Sequence, residues 1–331
     1  MRALVWHGPQ RMSVDELPDP EPGPDEVLLA PEATGICGSD VEGYTGLQAN
    51  RTPPLVMGHE LAGKVVAVGD GVEPAWRGRR AAVNPLVPGA DALPGIEQLS
   101  AQRELIGVHR PGGFAGLVRV PVGRLRPLPD GADARLGVLA EPLANGVHAA
   151  RVGRAGVEGG PVERAVVIGA GTIGLMTLQA WRHGGAAWTG VLEPNDERRQ
   201  AAAALGASAT FADADELRGA GEVDVAFDAV GLAITRRLAV EVLRPGGCAV
   251  LVGLAADVTP MEFHPVIRRG LTLRGAYAYT DGDYDHALAL LLEGRAGLGQ
   301  LEPVLPLEAG PDAFAELATR PSGRLKVFLA P

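Results

Sequence analysis

The chain changes texture near residue 145. Up to about residue 140 it carries short β-type runs, such as Val27-Leu28-Leu29, Gly63-Lys64-Val65-Val66-Ala67-Val68 and Gly116-Leu117-Val118-Arg119-Val120, separated by segments rich in glycine and proline. Short apolar runs punctuated by turn residues predict an irregular, mostly β domain. Beyond that point, apolar runs alternate with helical stretches: Ala165-Val166-Val167-Ile168, Thr189-Gly190-Val191-Leu192, Val223-Asp224-Val225-Ala226-Phe227 and Ala249-Val250-Leu251-Val252 read as strands, and 175–181 and 198–205 as helices. Strand and helix in alternation predict a parallel sheet with helices on its faces. After about Gly275 the pattern yields one helix, 284–292, and a terminal strand, 325–329. The expected organisation is therefore 1–146, 147–276 and 277–331.

A length of 331 residues exceeds what one hydrophobic core usually serves, which agrees with two domains. With 46% hydrophobic and 21% charged residues the composition is that of a globular protein. A net charge of -10 argues against nucleic acid or an anionic membrane surface as partner, since both attract basic surfaces. No segment approaches the roughly twenty apolar residues of a membrane helix. Cys37 and Cys248 alone cannot form a disulfide framework, and the apolar start of the chain meets His7 and Gly8 too soon for a signal peptide. A cytoplasmic location is expected. Lys64 and Lys326 are the only lysines.

Two motifs carry chemistry. Gly169-Ala170-Gly171-Thr172-Ile173-Gly174 follows a strand and opens a helix. In that context the first glycine permits a tight turn, the second lets a pyrophosphate approach the backbone, and the third lets helix pack on strand. Glu193, nineteen residues after Gly174, stands where a carboxylate accepts hydrogen bonds from a ribose diol and repels a 2′-phosphate. NAD is thus favoured over NADP, although Arg198 and Arg199 stand nearby and an arginine there can accommodate that phosphate. The second motif is Gly35-Ile36-Cys37-Gly38-Ser39-Asp40 followed by Gly58-His59-Glu60, a thiol, an imidazole and a carboxylate of the kind a catalytic zinc takes as three ligands, leaving a fourth position open. A lone cysteine and histidine are also common as inert core residues, so the second motif acquires its meaning from the rest of the chain.

These motifs, with the opening Met1-Arg2-Ala3-Leu4-Val5, Glu141-Pro142-Leu143 and Arg244-Pro245-Gly246-Gly247, occur in an order that resembles the medium-chain dehydrogenases/reductases of the zinc-dependent alcohol dehydrogenase type, over essentially the whole chain. Glu141-Pro142-Leu143 and Glu193-Pro194 most resemble the polyol branch, with sorbitol, threonine and butanediol dehydrogenases. The resemblance implies an α/β protein: a GroES-like, mostly β catalytic domain, a Rossmann NAD-binding domain, and a C-terminal segment returning to the first. It implies one catalytic zinc on Cys37, His59 and either Glu60 or Glu141, with Ser39 as proton relay and Asp40 fixing the tautomer of His59. A homodimer or homotetramer formed through the sheet edge of the nucleotide domain is the family's usual assembly.

Several positions depart from the family pattern. At the four places where relatives carry the cysteines of a structural zinc stand Gly89, Ala92, Gly95 and Arg103, so no second zinc is expected. A cluster of Leu93, Ile96, Leu99 and Leu105 is expected to replace it. Glu42 occupies the place of a histidine that completes the proton path, so either Glu42 takes over or the path ends in water. Asn145, one turn after Glu141, stands where relatives have an apolar residue against the nicotinamide, and Ala278 replaces an arginine of sorbitol dehydrogenases. Tyr44 and Tyr279 suit either a substrate pocket or core packing. The remaining histidines, His109 the least clear among them, lack a ligand partner at a recognised spacing. The leading function is NAD- and zinc-dependent oxidation of a secondary alcohol in a small polyol, diol, cyclitol or amino-alcohol, or reduction of the matching ketone. Its competitors are a zinc-free NAD(P)H-dependent enone or quinone reductase and a non-catalytic NAD-binding protein.

Overall fold

The computed structural model describes residues 1–48, 50–319 and 324–331. The helices among them are α1 (Gly38–Thr45), α2 (Ala134–Ala155), α3 (Thr172–His183), α4 (Asp196–Ala204), α5 (Ala214–Gly219), α6 (Ala233–Glu241), α7 (Phe263–Arg268), α8 (Asp281–Leu292) and α9 (Gly310–Thr319). Residue contacts divide the chain into two compact units: Met1–Glu141 with Leu288–Arg295 and Gln300–Pro331, and Pro142–Ala287 with Ala296–Gly299. The first division thus falls inside α2, next to Pro142, which cannot donate the helical hydrogen bond to Val138.

The first unit is built on a seven-stranded sheet. Strands Leu125–Pro127, Arg80–Val83, Glu60–Val68, Glu26–Gly35, Phe328–Ala330 and Val304–Pro306 follow one another in hydrogen-bonded order, and Val118–Pro121 also pairs with Glu26–Gly35. Gly35 lies between Glu60 on one side and Phe328 on the other. That register carries the C-terminal end of the chain to the beginning of the Glu60–Val68 strand. One face is packed by Val27, Leu29, Leu61, Val65, Ile106 and Val118, all buried, each contributing on the order of 1.5–3 kcal/mol by leaving water. A second cluster, centred on Phe114, Phe314, Tyr44 and Met57, packs the opening strand Arg2–Gly8 against α9 and its surroundings. The terminal strand is shorter than the apolar run implies, because 324–327 lie outside it and only Phe328–Ala330 pair.

The second unit is a six-stranded parallel sheet in the order Ala209–Phe211, Trp188–Leu192, Arg164–Ile168, Val223–Asp228, Leu243–Leu251, Thr272–Gly275. The strand order reverses next to Arg164–Ile168, the topological switch point where open α/β sheets bind ligands. Trp181 of α3 packs edge-on to Phe227 at 5.2 Å, and the Arg154 guanidinium covers the Trp181 ring at 3.9 Å. Helix α8 starts three residues before the expected 284: Thr280 Oγ1 accepts from the Asp283 N–H while Asp283 accepts from the Thr280 N–H, a reciprocal cap.

The apolar cluster expected in the segment between Asn84 and Val108 does not form. Leu93 is 62% exposed, Leu99 52% and Ile96 43%. A carboxylate closes the loop instead: Asp91 accepts from the Ser100 hydroxyl and from the N–H groups of Ala101 and Gln102, and Ser100 Oγ accepts from the Gly89 N–H. The physical reason is geometric. Three donors clustered on one backbone turn are satisfied by one acceptor-only group, whereas apolar side chains would leave them unpaired.

Candidate active site

Cys37 is the N-cap of α1, and Asp40 in its first turn accepts the Cys37 N–H at 3.2 Å. The same carboxylate faces inward. Asp40 Oδ1 lies 3.2 Å from Nδ1 of His59 and 3.1 Å from Nη2 of Arg51, and all three residues are buried. Asp40 thereby fixes which ring nitrogen of His59 is turned away from it. Gly58, at φ 98°, makes the turn that presents His59: a Cβ there would meet Thr34 and Phe114 at under 3 Å. Burial by itself would raise the Asp40 carboxyl, but His59, Arg51 and the Cys37 N–H hold it below its ordinary value. Burial also opposes a charged His59, yet Asp40 and Cys37 outweigh it and raise His59 well above the usual imidazole range.

Sulfur, nitrogen and oxygen of Cys37, His59 and Glu60 lie within 4.8 Å of one another. This donor set fits Zn²⁺, which binds Cys, His and carboxylate ligands at about 2.0–2.3 Å. Glu60 has a further partner that the sequence reading missed. Lys326 Nζ donates to both carboxylate oxygens, at 2.8 and 2.7 Å, and to the Ile36 carbonyl at 3.2 Å, with both side chains buried. Room for this pair comes from Gly35, where a Cβ would stand 2.3 Å from Glu60 Oε2. Burial lowers Lys326 most strongly, but Glu60, Cys37 and Glu141 reverse the effect and keep it charged. Glu141 is buried on α2, close enough to act on that ammonium, and lies outside the Cys37–His59–Glu60 cluster.

Ser39 is half-buried and receives an N–H from Arg51 at 3.5 Å. Glu42 is tied to Gln48 at 2.5 Å, and Gln48 in turn to Arg51 at 2.8 Å. Arg51, not Glu42, is the charged group that reaches Ser39. Tyr44 packs on Phe314 at 5.6 Å in the core, its hydroxyl 3.5 Å from the Gln10 carbonyl. Tyr279, 2% exposed, packs on Tyr284 at 5.7 Å. Both side chains are buried. Asn145 is half-buried on α2, one turn from Glu141. His109 accepts the Leu105 N–H at 2.9 Å, a local turn contact.

The glycine turn has the geometry that a dinucleotide needs. Gly169 has φ 97°, and a Cβ on Gly174 would lie 1.8 Å from its carbonyl oxygen. A Cβ on Gly171 would meet nothing within 4 Å, so the open cradle lies at the middle glycine. No side chain caps α3, which begins at Thr172 and Ile173, and its N-terminus suits a pyrophosphate. Glu193 Oε2 accepts the Ala170 N–H at 2.9 Å and Oε1 the Asn195 N–H at 3.0 Å. Each oxygen keeps a second lone pair for a ribose hydroxyl. Arg199 is folded onto the Glu193 and Pro194 carbonyls and onto Asp196, and Arg198 is half-buried beside it, its N–H on the Asn195 side chain.

Residues 23–130 match the family model of the alcohol dehydrogenase GroES-like domain, and residues 172–293 that of the zinc-binding dehydrogenase. A 2-dehydro-3-deoxy-L-galactonate 5-dehydrogenase of Pseudoalteromonas atlantica is 30% identical, with 98% of this chain and 97% of that one aligned. The (R,R)-butanediol dehydrogenase of Bacillus subtilis is 31% identical over 89% of each chain. The crystal structure of 2R,3R-butanediol dehydrogenase from Bacillus subtilis superposes with a TM-score of 0.89 over 100% of this chain and 99% of that one, at 28% identity. No helix among the described residues is long and apolar enough to cross a membrane. With relatives of this kind aligned along nearly its full length, the chain belongs to the zinc-type medium-chain dehydrogenases/reductases, in the branch of polyol, diol and sugar-acid dehydrogenases.

Proposed function

We propose that the chain interconverts a secondary alcohol of a small polyol, diol, cyclitol or amino-alcohol with its ketone, using NAD(H) and one zinc held by Cys37, His59 and Glu60. The observation that carries this reading is the convergence of those three donors within 4.8 Å. Bound there, zinc supplies Lewis-acid polarisation of the substrate oxygen, and NAD supplies the hydride acceptor. Lys326, which donates to both Glu60 oxygens, would balance the charge of that carboxylate in the metal site, and Glu141 is the nearby carboxylate that could exchange with it. Asp40 holds the imidazole in its ligating tautomer. Ser39, the accessible hydroxyl beside Cys37, accepts the alcohol proton while passing its own to water, as the carbinol hydride leaves for NAD. Gly169, Gly171, Thr172, Ile173 and Gly174 cradle the pyrophosphate and Glu193 the ribose diol; Arg199, engaged by backbone carbonyls, is withdrawn from a 2′-phosphate. A relative named for a dehydro-deoxy-galactonate and one named for butanediol support a hydroxyl-rich substrate.

The assembly proposed is a homodimer or homotetramer using the exposed edge strand Thr272–Gly275, preceded in the chain by the exposed Leu254, Val258, Phe263 and Ile267. Two free cysteines support the cytoplasm as its compartment. The test is a polyol and cyclitol panel followed by NADH absorbance, with zinc quantified in the same sample. About one zinc per chain is expected, with activity lost on chelation and in Cys37→Ala, and kcat lowered about 100-fold in Ser39→Ala. Full activity in Cys37→Ala would sink the zinc reading, and NADPH-dependent reduction of an enone without metal would establish the metal-free alternative.

A further inference from the structure

Arg51 is a buried cation with no obvious reason to be there. Its side chain is 1% exposed, so it is closed to a substrate. Space for it is made by Gly43 of α1, where a Cβ would stand 2.6 Å from Arg51 Cδ. Burying a guanidinium costs several kcal/mol unless its partners are well placed, and the partners here are specific. Nη1 donates to Gln48 at 2.8 Å and to Asn50 at 3.3 Å. Nη2 divides its two hydrogens between Asp40 Oδ1, at 3.1 Å, and Ser39 Oγ, at 3.5 Å. One nitrogen therefore touches both the carboxylate that orients His59 and the hydroxyl that stands beside Cys37.

We propose that Arg51 is a positioning residue that sets the metal-binding imidazole through Asp40 and the proton-carrying hydroxyl through Ser39. Two consequences follow from its charge and planarity. Paired with Arg51, Asp40 remains an acceptor for the His59 Nδ1–H, which leaves the other ring nitrogen for the metal. An N–H delivered to one lone pair of Ser39 leaves the other lone pair for a substrate hydroxyl and directs the Ser39 hydrogen onward, toward water. Because both contacts come from one atom, the metal site and the proton path are held in a single register. The inference rests on the function proposed above, and the two fail separately: an active wild-type zinc enzyme whose Arg51 variants are unaltered refutes only the role of Arg51.

The experiment compares the full-length wild type with Arg51→Met, Arg51→Lys and Arg51→Gln. Zinc affinity is measured by competition with a chromophoric chelator, and ligand geometry by the visible spectrum of the cobalt-substituted protein. Arg51→Met is expected to weaken zinc about 10–100-fold, the range for partners of a metal-ligating histidine, and to alter the cobalt spectrum. Arg51→Lys keeps a charge beside Asp40 but lacks the rigid fork; its zinc affinity is expected to recover while kcat stays depressed and KM changes little. Wild-type zinc affinity and an unaltered cobalt spectrum in Arg51→Met overturn the proposal. Wild-type kcat in Arg51→Lys refutes its Ser39 half. Should Arg51→Met fail to fold around an orphaned Asp40, Arg51→Gln, which leaves Asp40 intact and puts a shorter, uncharged amide in place of the fork, decides the matter: weakened zinc binding supports the proposal and wild-type affinity overturns it.

Discussion

At the residue scale, the candidate metal-binding motif stands out because its three donors fall within 24 positions of one another, on a turn and at the start of a strand. What the sequence hid were the cations that complete the site. Lys326 meets Glu60 across 266 positions, and only the register of Glu60, Gly35 and Phe328 brings the two together. One trace was available: Lys326 is one of just two lysines in a chain whose basic residues are otherwise arginines. Arg51 offered no such trace, since an arginine before a pair of prolines reads as surface. The two cysteines differ physically, which leads to a prediction. Burial pushes the Cys248 thiol up to about 11, and its sulfur is packed where a Cβ on Gly156 would stand 2.5 Å away, whereas Cys37 is half-buried among polar groups. A disulfide-exchange reagent at pH 8 is expected to titrate one thiol in the chelated protein, Cys37, and none when zinc is present, because the reacting species is the thiolate. Two reactive thiols in the folded chelated protein would contradict this assignment.

At the scale of elements, the parallel strands and α3 were legible because continuous apolar runs and the glycine turn leave few alternatives. The loop between Asn84 and Val108 was not, because one carboxylate that gathers local backbone donors leaves no hydrophobic signature. The clamp between α2 and α8 was also hidden, although each helix alone was suggested by pattern. Asp283 of α8 accepts from Arg151 through both oxygens at 2.9 Å, lies 2.9 Å from Nδ1 of His148, and caps its own helix through Thr280. Burial would raise its carboxyl, but His148, Arg151 and Thr280 together hold it well below the ordinary carboxylate range. The folded pKa thus lies below the unfolded value of about 3.9, so the stabilisation is complete above that value and is lost as pH falls through the folded one. Asp283→Asn is expected to lower stability at pH 7 by about 1–3 kcal/mol, the cost of leaving buried groups incompletely paired. Urea unfolding of wild type and variant from pH 7 to pH 3 should give a constant difference down to about pH 5 that narrows below about pH 4. A difference that grows on acidification would mean that the protonated carboxyl is the stabilising form.

At the scale of the whole molecule, the two compact units divide the proposed chemistry: Cys37, His59, Glu60 and Lys326 all belong to the unit containing Met1–Glu141 and Gln300–Pro331, and the glycine turn with Glu193 to Pro142–Ala287. The division explains why the nucleotide half was easier to read. It is nearly contiguous in sequence, so its sheet follows from local order, whereas the metal half takes its last strands, Val304–Pro306 and Phe328–Ala330, from the far end of the chain. Ligand-induced protection against amide exchange should map onto this division. Any ligand that binds only the folded state adds RT ln(1 + [L]/Kd), about 2.7 kcal/mol at a hundredfold excess over Kd, and the gain is largest where amides touch it. NAD is expected to slow exchange at 169–175 and 193–199, with little change at 35–41 and 57–61; restoring zinc to the chelated protein should give the opposite pattern. NADP at the same concentration should protect 193–199 less than NAD does, since Glu193 presents a carboxylate to the ribose and Arg199 is held by the Glu193 and Pro194 carbonyls. Equal protection by both dinucleotides would show that Arg198 or Arg199 turns outward to take the extra phosphate, and the preference for NAD would then have to be withdrawn.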